Sequence, residues 1–458
     1  MKILILGAGR VGASVAENLV SEQNDITIVD TDGERLRYLQ DRIDLRGVQG
    51  DASMPEVLRA AGADDTDLLV ACAATDPVNL VACRIAKDVF NIPRRISRVR
   101  SYDFSSNPEL IKESFGVDSV ISPENSVTTY LHSLIEFPEA LQVVEFGGGR
   151  LSLLIIRIGR VSPLINLRVN RTGENLPDLN ARVLEIFRNG ASVALDHESK
   201  IQQGDELVVA VDTQEGKEAV AKLQYASRKV RTVMIAGGGN IGYRLARKLS
   251  EGSYNVRILE SNRERCETLA TLLPSKVLVL HGDATDEALL DNENIEEMDT
   301  FLAVTNDDED NIMSSLLAKR LGARKVVALI NRKAYGELME GSLIDIAVSP
   351  SQATIGALLR DVRQGAVVTG HRLRWGNAEA IEFEVNGDNK SSQVVGKSIA
   401  ELKLPRTAIV AAILRADEVI LPEPATVIQP GDHVVVFAGN RHDMRRVEKL
   451  FQVSVFFF

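Results

Sequence analysis

Two short loops carry the most specific chemistry in this chain. Residues 7–12 read Gly-Ala-Gly-Arg-Val-Gly and residues 237–242 read Gly-Gly-Gly-Asn-Ile-Gly, the same G-x-G-x-x-G pattern 230 positions apart. Each follows an apolar run, Ile3-Leu4-Ile5-Leu6 or Val233-Met234-Ile235-Ala236, and precedes a helical pattern. A second strand-like run then ends in an acid, Asp30 or Glu260, 23 residues beyond the first glycine in both copies. These residues suit a nucleotide. Gly7 and Gly237 permit the tight strand-to-helix turn. Gly9 and Gly239 let backbone approach a pyrophosphate, and Gly12 and Gly242 let the helix pack against the sheet. Ala8, Arg10 and Val11, with Gly238, Asn240 and Ile241, fill out loops at a helix N-terminus. Unpaired N–H groups and partial positive charge favour phosphates there. Asp30 and Glu260 would accept hydrogen bonds from a ribose diol. They would repel a 2′-phosphate, which favours NAD(H) or ATP/ADP over NADP.

The duplication continues past the loops. Gly50-Asp51-Ala52-Ser53 recurs as Gly282-Asp283-Ala284-Thr285, and Asn79 aligns with Asn311, at an offset of 232. Asp51 and Asp283 fall after the third strand, at the carboxyl edge where open α/β sheets bind ligands. A ligand contact and a cap for the next helix are both open to them, and Ser53 or Thr285 could equally be that cap. Ala73 and Ala74, with Thr305 and Asn306, follow the fourth strand, where small residues leave room for adenine or ribose. Arg98 ends a strand within reach of a phosphate. At a constant offset its counterpart is Ile330, Arg100 matches Arg332, and Arg10 becomes Asn240, so the two sites should differ in their preference for charged ligands.

No catalytic constellation accompanies these sites. An oxidoreductase needs a general acid or base beside the nicotinamide. The two matched segments at 142–225 and about 380–455 offer only His197, His433 and His442, each isolated in surface-like sequence. The histidines have no metal spacing, and Cys72, Cys83 and Cys266 read as small core residues in a reducing compartment. A net charge of −11 gives no reason to expect nucleic acid. No run approaches the ~18 apolar residues of a membrane span, and no signal-peptide pattern precedes the first strand. These features predict a cytoplasmic chain that reaches a membrane only through a partner.

Alternating strands and helices around each loop predict an α/β fold with two Rossmann-type, doubly wound parallel sheets, each followed by a small α+β domain. The expected order is a first nucleotide domain over 1–122, a crossover helix over 123–141 and a small domain over 142–226. A second nucleotide domain over 230–349, crossover helix over 350–369 and small domain over 370–458 repeat it. In the small domains, Gly204-Asp205 and Gly431-Asp432 precede β-branched runs and read as turns. Helical patterns close them, Glu215 to Leu223 and His442 to Leu450. The crossover helices carry apolar stripes, Val127, Tyr130, Leu131, Leu134 and Ile135 in one, Ile355, Leu358, Leu359 and Val362 in the other. Packing on their own sheet and crossing to a neighbouring domain are both open. The expectation carried forward is that they are oligomer contacts.

The opening Met1 to Gly12, the Val29-Asp30 strand end, both Gly-Asp-Ala-Ser/Thr segments, the second glycine loop and the two Gly-Asp strand starts, in this tandem order, resemble the TrkA family. Its members are peripheral cytoplasmic subunits of bacterial Trk potassium-uptake systems, with two regulator-of-potassium-conductance (RCK) units per chain. The resemblance covers essentially the whole chain. It implies a non-catalytic subunit that binds NAD(H) and ATP/ADP at Gly7–Val11 with Asp30 and at Gly237–Ile241 with Glu260. It also implies a homotetramer forming an eight-unit ring, attached through a membrane pore subunit to the cytoplasmic face of the inner membrane, whose K⁺ flux it gates. Two other readings stand beside it. An NAD-dependent oxidoreductase with fused Rossmann domains would turn over cofactor. A nucleotide-sensing scaffold unrelated to ion transport would leave potassium uptake normal when deleted.

Overall fold

The computed structural model describes residues 1–20, 24–101, 104, 107–168, 181–193, 199–214, 216, 229–339, 342–351, 366–373 and 378–453. Two compact units divide the chain. One is built on Met1–Val127, the other on Thr128–Ser349 and Arg363–Phe458.

The first unit holds six parallel strands: β1 (Lys2–Leu6), β2 (Asp25–Asp30), β3 (Arg46–Gln49), β4 (Leu68–Ala71), β5 (Arg94–Arg98) and β6 (Ser119–Ile121), in the order 3-2-1-4-5-6. Helices α1 (Arg10–Val20), α2 (Gly33–Gln40), α3 (Pro55–Ala60), α4 (Asp76–Asp88) and α5 (Pro108–Phe115) connect them. Side chains alternate across a strand, and both faces of this sheet are covered. Ile3 and Ile5 therefore enter one core and Leu4 and Leu6 the other. That is why β1 reads as an unbroken apolar run. Strand order reverses between β1 and β4, which opens a crevice at their carboxyl ends.

The second unit contains the same sheet again. Strands β12 (Thr232–Ala236), β13 (Asn255–Glu260), β14 (Val277–His281), β15 (Thr300–Ala303), β16 (Lys325–Leu329) and β17 (Ile346–Val348) lie in the order 14-13-12-15-16-17. Two antiparallel sheets accompany it. The first comprises β7 (Ala140–Phe146), β8 (Leu151–Arg157), β9 (Ala181–Arg188), β10 (Ala191–Val193) and β11 (Glu206–Asp212), in the order 7-8-11-9-10. The second comprises β18 (Val367–Arg372), β19 (Glu379–Glu384), β20 (Ala408–Arg415), β21 (Glu418–Ile420) and β22 (His433–Ala438), in the order 18-19-22-20-21. The two orders are the same once matched strand for strand. The helix expected at 442–450 forms over Arg441–Phe451. Its expected counterpart at 215–223 lies outside the described residues, apart from Gly216.

The repeated Gly-Asp turns have a common cause. Gly204 and Gly431 adopt φ of +87° and +80°. The buried Asp205 then accepts Gln202 N–H at 2.7 Å and both Arg188 donors at 2.8 and 2.9 Å. Asp432 takes Gln429 N–H and Arg415 in the same way, each at 2.8 Å. The two small sheets also share a core, in which Phe146, Leu153 and Val208 meet Ala380, Leu414 and Phe437. His433, read from sequence as isolated, is instead held by the buried Glu382, 2.7 Å from Nδ1.

The first crossover helix, α6 (Pro123–Glu136), corrects the expectation that its stripe awaits another subunit. Leu131, Leu134 and Ile135 are buried within the single chain. The helix end docks on the second nucleotide domain. The buried Lys325 ammonium, at the start of β16, donates to the carbonyls of Pro138 at 2.8 Å, Ala140 at 3.1 Å and Leu134 at 3.5 Å. A cation suits the negative end of a helix. The second stripe, Ile355 to Val362, lies outside the described residues.

Two outcomes follow. Leu131→Asp with Leu134→Asp should destabilise the chain itself by about 4 kcal/mol or more, because cavities and buried charge combine. Thermal unfolding reads this, and an unchanged midpoint would return the stripe to the surface. Lys325 gives a pH signature. Burial pushes its ammonium from 10.5 down to about 8, against Asp345 and Glu139, which raise it. Between those values the unfolded chain binds the proton and the folded chain does not. The Lys325 contribution to stability should therefore rise with pH from about 8 to 10.5, by at most roughly 1.4 kcal/mol per pH unit. Denaturant unfolding of Lys325→Met should lack that slope.

Candidate functional site

At the end of β1 the chain turns into α1 through Gly7, whose φ is +100°. A Cβ on Gly7 would come within 2.8 Å of Ala73 Cα and Cys72 O, and one on Gly12 within 1.8 Å of Gly7 O. The second loop repeats this, with Gly237 at φ +108° and a Gly242 Cβ 1.9 Å from Gly237 O. Gly9 and Gly239 differ. A Cβ on either meets nothing within 4 Å. Space therefore remains directly over both loops, as a pyrophosphate against the backbone requires. The second helix, α7 (Asn240–Ser250), begins at Gly239 with no side-chain cap, which leaves its first N–H groups to a ligand.

The two acids do more than the sequence suggests. Asp30 Oδ2 accepts Ala8 N–H at 2.6 Å and Oδ1 accepts Asp32 N–H at 2.8 Å. Glu260 accepts Gly238 and Asn262 N–H in the same way, both at 2.8 Å. Each carboxylate ties the glycine loop to the turn after the second strand. Lone pairs remain for a ribose diol, but removing the acid would also loosen the loop. Gln49 and His281, missed in the sequence, lie in register beside Asp30 and Glu260 at the same edge. Their position 232 residues apart was the available signal.

Asp51 and Asp283 sit at that edge as expected, but the capping role is excluded for them and for Ser53 and Thr285. Asp51 Oδ1 accepts Ser53 N–H and hydroxyl at 2.8 and 2.7 Å, and Asp283 holds Thr285 likewise, both at 2.8 Å. Those bonds lower both carboxyls below their ordinary range. The caps are Met54, without a side-chain bond, and Asp286, which accepts Ala288 and Leu289 N–H. Asn79 spans the edge of the first site. Its Oδ1 accepts Ala73 N–H at 2.7 Å and its Nδ2 donates to Arg98 O at 3.1 Å. Asn311 bridges Thr305 N–H at 2.8 Å and Leu329 O at 2.9 Å. The adjoining Ala74 and Asn306 are exposed.

Those bridges correct the alignment of the arginines. Arg98 pairs with Ile121 as Leu329 pairs with Val348, so its counterpart is Leu329, not Ile330. Asp76 receives the N–H groups of Arg100 and Ser101, and Asp308 those of Asn331 and Arg332. Arg100 therefore corresponds to Asn331, not Arg332. A one-residue deletion before β16 shifts the offset to 231, which constant spacing overlooked. Arg98 itself is nearly buried and donates through a terminal nitrogen to Glu124 of α6 at 3.0 Å, while its buried Nε makes no hydrogen bond. Burial, then Arg98 and also Arg10, hold Arg100 below its ordinary value, with Glu124 and Asp76 opposing. Three guanidinium groups thus share the first crevice.

Twin switch-point crevices over glycine loops, each sheet followed by an antiparallel one, define a tandem RCK-type protein of two Rossmann units. A crystal structure of the GsuK RCK domain has this fold, with a TM-score of 0.62 at 18% identity over 98% of this chain and 94% of that one. The GsuK channel bound to NAD matches with a TM-score of 0.61 at 17% identity, over 98% and 78%. The TrkA-N domain model matches residues 3–123 and 233–350, and the TrkA-C domain model residues 388–452. The Trk system potassium uptake proteins TrkA of Halomonas elongata and Vibrio alginolyticus are each 45% identical over the full length of both chains. That of Haemophilus influenzae is 44% identical over the same span. The chain belongs to the TrkA family. Its role is regulatory, in potassium uptake, and not enzymatic, which decides against the oxidoreductase.

The glycines predict a split result. Gly7→Ala and Gly12→Ala, with Gly237→Ala and Gly242→Ala, should lower the unfolding temperature, since backbone must move. Gly9→Ala and Gly239→Ala should leave stability within about 0.5 kcal/mol, as at a surface site, and weaken nucleotide binding by calorimetry. Equal destabilisation by all six would remove the ligand role of the central glycines.

Proposed function

We propose that this chain senses adenine nucleotides at two Rossmann sites and gates K⁺ flux through the membrane subunit of a Trk-type transporter. The observation that carries this reading is the pair of open cradles over Gly9 and Gly239. Gly7 to Gly12 with Asp30, Ala73 and Ala74 would hold the ligand in one, and Gly237 to Gly242 with Glu260, Thr305 and Asn306 in the other. Asp51 and Asp283 flank them. NAD(H) and ATP/ADP fit the diol-accepting acids, and NAD is present in the GsuK channel structure.

Arg98 links ligand to helix. A phosphate reaching its free Nε would compete with Glu124 for the guanidinium and so act on the first turn of α6. A ligand can bias a partner only through contacts that differ between states. In this reading four chains form an eight-unit ring beneath the pore, on the cytoplasmic face of the inner membrane. Both halves leave the same helical position apolar and exposed, Val81 on α4 and Met313 on α8 (Asp308–Arg320), which suits contact between equivalent units. Among the described residues no helix is long and apolar enough to cross a membrane, so attachment would come through the pore subunit.

The test is copurification with the pore protein and flux measured with and without nucleotide. Gly9→Asp with Gly239→Asp should copurify normally and lose the nucleotide response. A double variant that still responds would refute gating through these sites. A chain that never copurifies would favour the unattached sensor.

A further inference from the structure

The corrected register sets the two sites apart more sharply than their shared loops suggest. Around the first crevice stand Arg10, Arg98 and Arg100; the equivalent positions in the second are Asn240, Leu329 and Asn331. The helix entering each crevice differs in the opposite sense. Asp76 and Asp308 are buried equivalents that grip backbone. Around them the first half has Thr75, Pro77 and Val78, and the second has Asp307, Glu309 and Asp310. Glu309 is taken up by Arg332 and Tyr335. Asp307 and Asp310 stay exposed at the edge beside Thr305 and Asn306. Burial and then the crowding of Asp307, Asp283 and Glu309 raise the Asp310 carboxyl above its ordinary value, so these carboxylates feel one another. The second crevice does keep one cation at its loop, Arg265, whose Nε donates to Gly238 O at 2.8 Å.

Both loops can receive a bridging diphosphate, because backbone N–H groups and Gly9 or Gly239 do that work. What differs is the surroundings of anything beyond it. A terminal phosphate carries about −1.5 to −2 charge at pH 7, more than a bridging one. It would meet guanidinium groups in the first site and carboxylates in the second. We propose that the second site is built for a dinucleotide, whose phosphates are all bridging, and rejects free mononucleotide polyphosphate, which the first site accepts. This rests on the nucleotide-binding reading above. Asp307 and Asp310 are the specificity-determining residues, and the absence of arginine at 240, 329 and 331 completes the exclusion. One chain would then read two different adenine ligands, one in each half.

The experiment uses the full chain with one site closed at a time. Gly9→Asp leaves only the second site and Gly239→Asp only the first; both side chains enter open space, and thermal unfolding checks each protein. Calorimetry with NAD and with ATP, in excess chelator so that no divalent cation shields the phosphates, gives four affinities. NAD should bind both proteins within a few-fold. ATP should bind the second site at least tenfold more weakly than the first. Salt should weaken ATP at the first site and strengthen it at the second, since screening acts on attraction and on repulsion alike. Adding Asp307→Asn and Asp310→Asn to the Gly9→Asp chain should raise the ATP-to-NAD affinity ratio at least fivefold; Asn retains the cap at 307. Asn240→Arg, at an exposed position, should raise the same ratio independently. Equal ATP affinity at both sites, or a ratio unmoved by all these substitutions, would overturn the proposal. Failure of NAD to bind either single-site protein would overturn the nucleotide-binding reading, and this inference with it.

Discussion

Everything at the nucleotide edge depends on one close approach. The first turn of α1 lies so near the end of β1 that a Cβ on Gly12 would sit 1.8 Å from Gly7 O, and Gly242 and Gly237 repeat this at 1.9 Å. Hydrogen is the only substituent that fits. The contact draws the helix start against the sheet and aims its first N–H groups over the strand end. Gly9 and Gly239 then lie in open space because their neighbours do not. The acids stabilise the same geometry from the other side, since Asp30 and Glu260 accept from the loop N–H groups as well as from the turn beyond. The glycine loop and the following turn are therefore one hydrogen-bond system. A substitution at either acid acts on both.

A duplicated chain need not be two independent copies. The end of the first crossover helix is anchored to the second nucleotide sheet by Lys325, a buried cation on three carbonyls. The two small sheets bury their faces against each other, and Arg182 crosses between them to the carbonyls of Val410 and Pro422. The strand that begins at Lys325 ends at Leu329, whose carbonyl takes Asn311 at the nucleotide edge. A single five-residue strand thus connects the second ligand crevice to the first crossover helix. Packed elements of this kind have few intermediate positions, so a displacement at one end of the strand has a direct mechanical partner at the other.

Much of this was legible in the residues. The glycine spacing, the acid 23 residues on and the repeated Gly-Asp-Ala segments predicted two Rossmann sheets and the loops at their carboxyl edge, because backbone sterics leave few residue types at those points. The Gly-Asp pairs of the small domains were visible as turns. Their partners Arg188 and Arg415 were not, since a side chain 17 residues away carries no local signal. The arginine correspondence failed for a simple reason. Spacing measures chain length, and a deletion in a loop changes it without moving the strand. Hydrogen-bond register measures position. It assigned Leu329 and Asn331 where counting had assigned Ile330 and Arg332.

The sequence by itself determined the local rules: which turns need glycine, which strands are covered on both faces, and where a carboxylate stands beside the glycine loop. Those follow from sterics and periodicity within a few residues. Tertiary structure decided which surfaces remain. The apolar stripe of α6 was equally suited to its own sheet, to a neighbouring domain or to another subunit, because hydrophobic burial is non-directional. Only the folded chain covered Leu131 and Leu134 and supplied Lys325 to the helix end. It likewise decided that one crevice gathers guanidinium groups and the other carboxylates, since charges distant in sequence act together only when the fold brings them to the same edge.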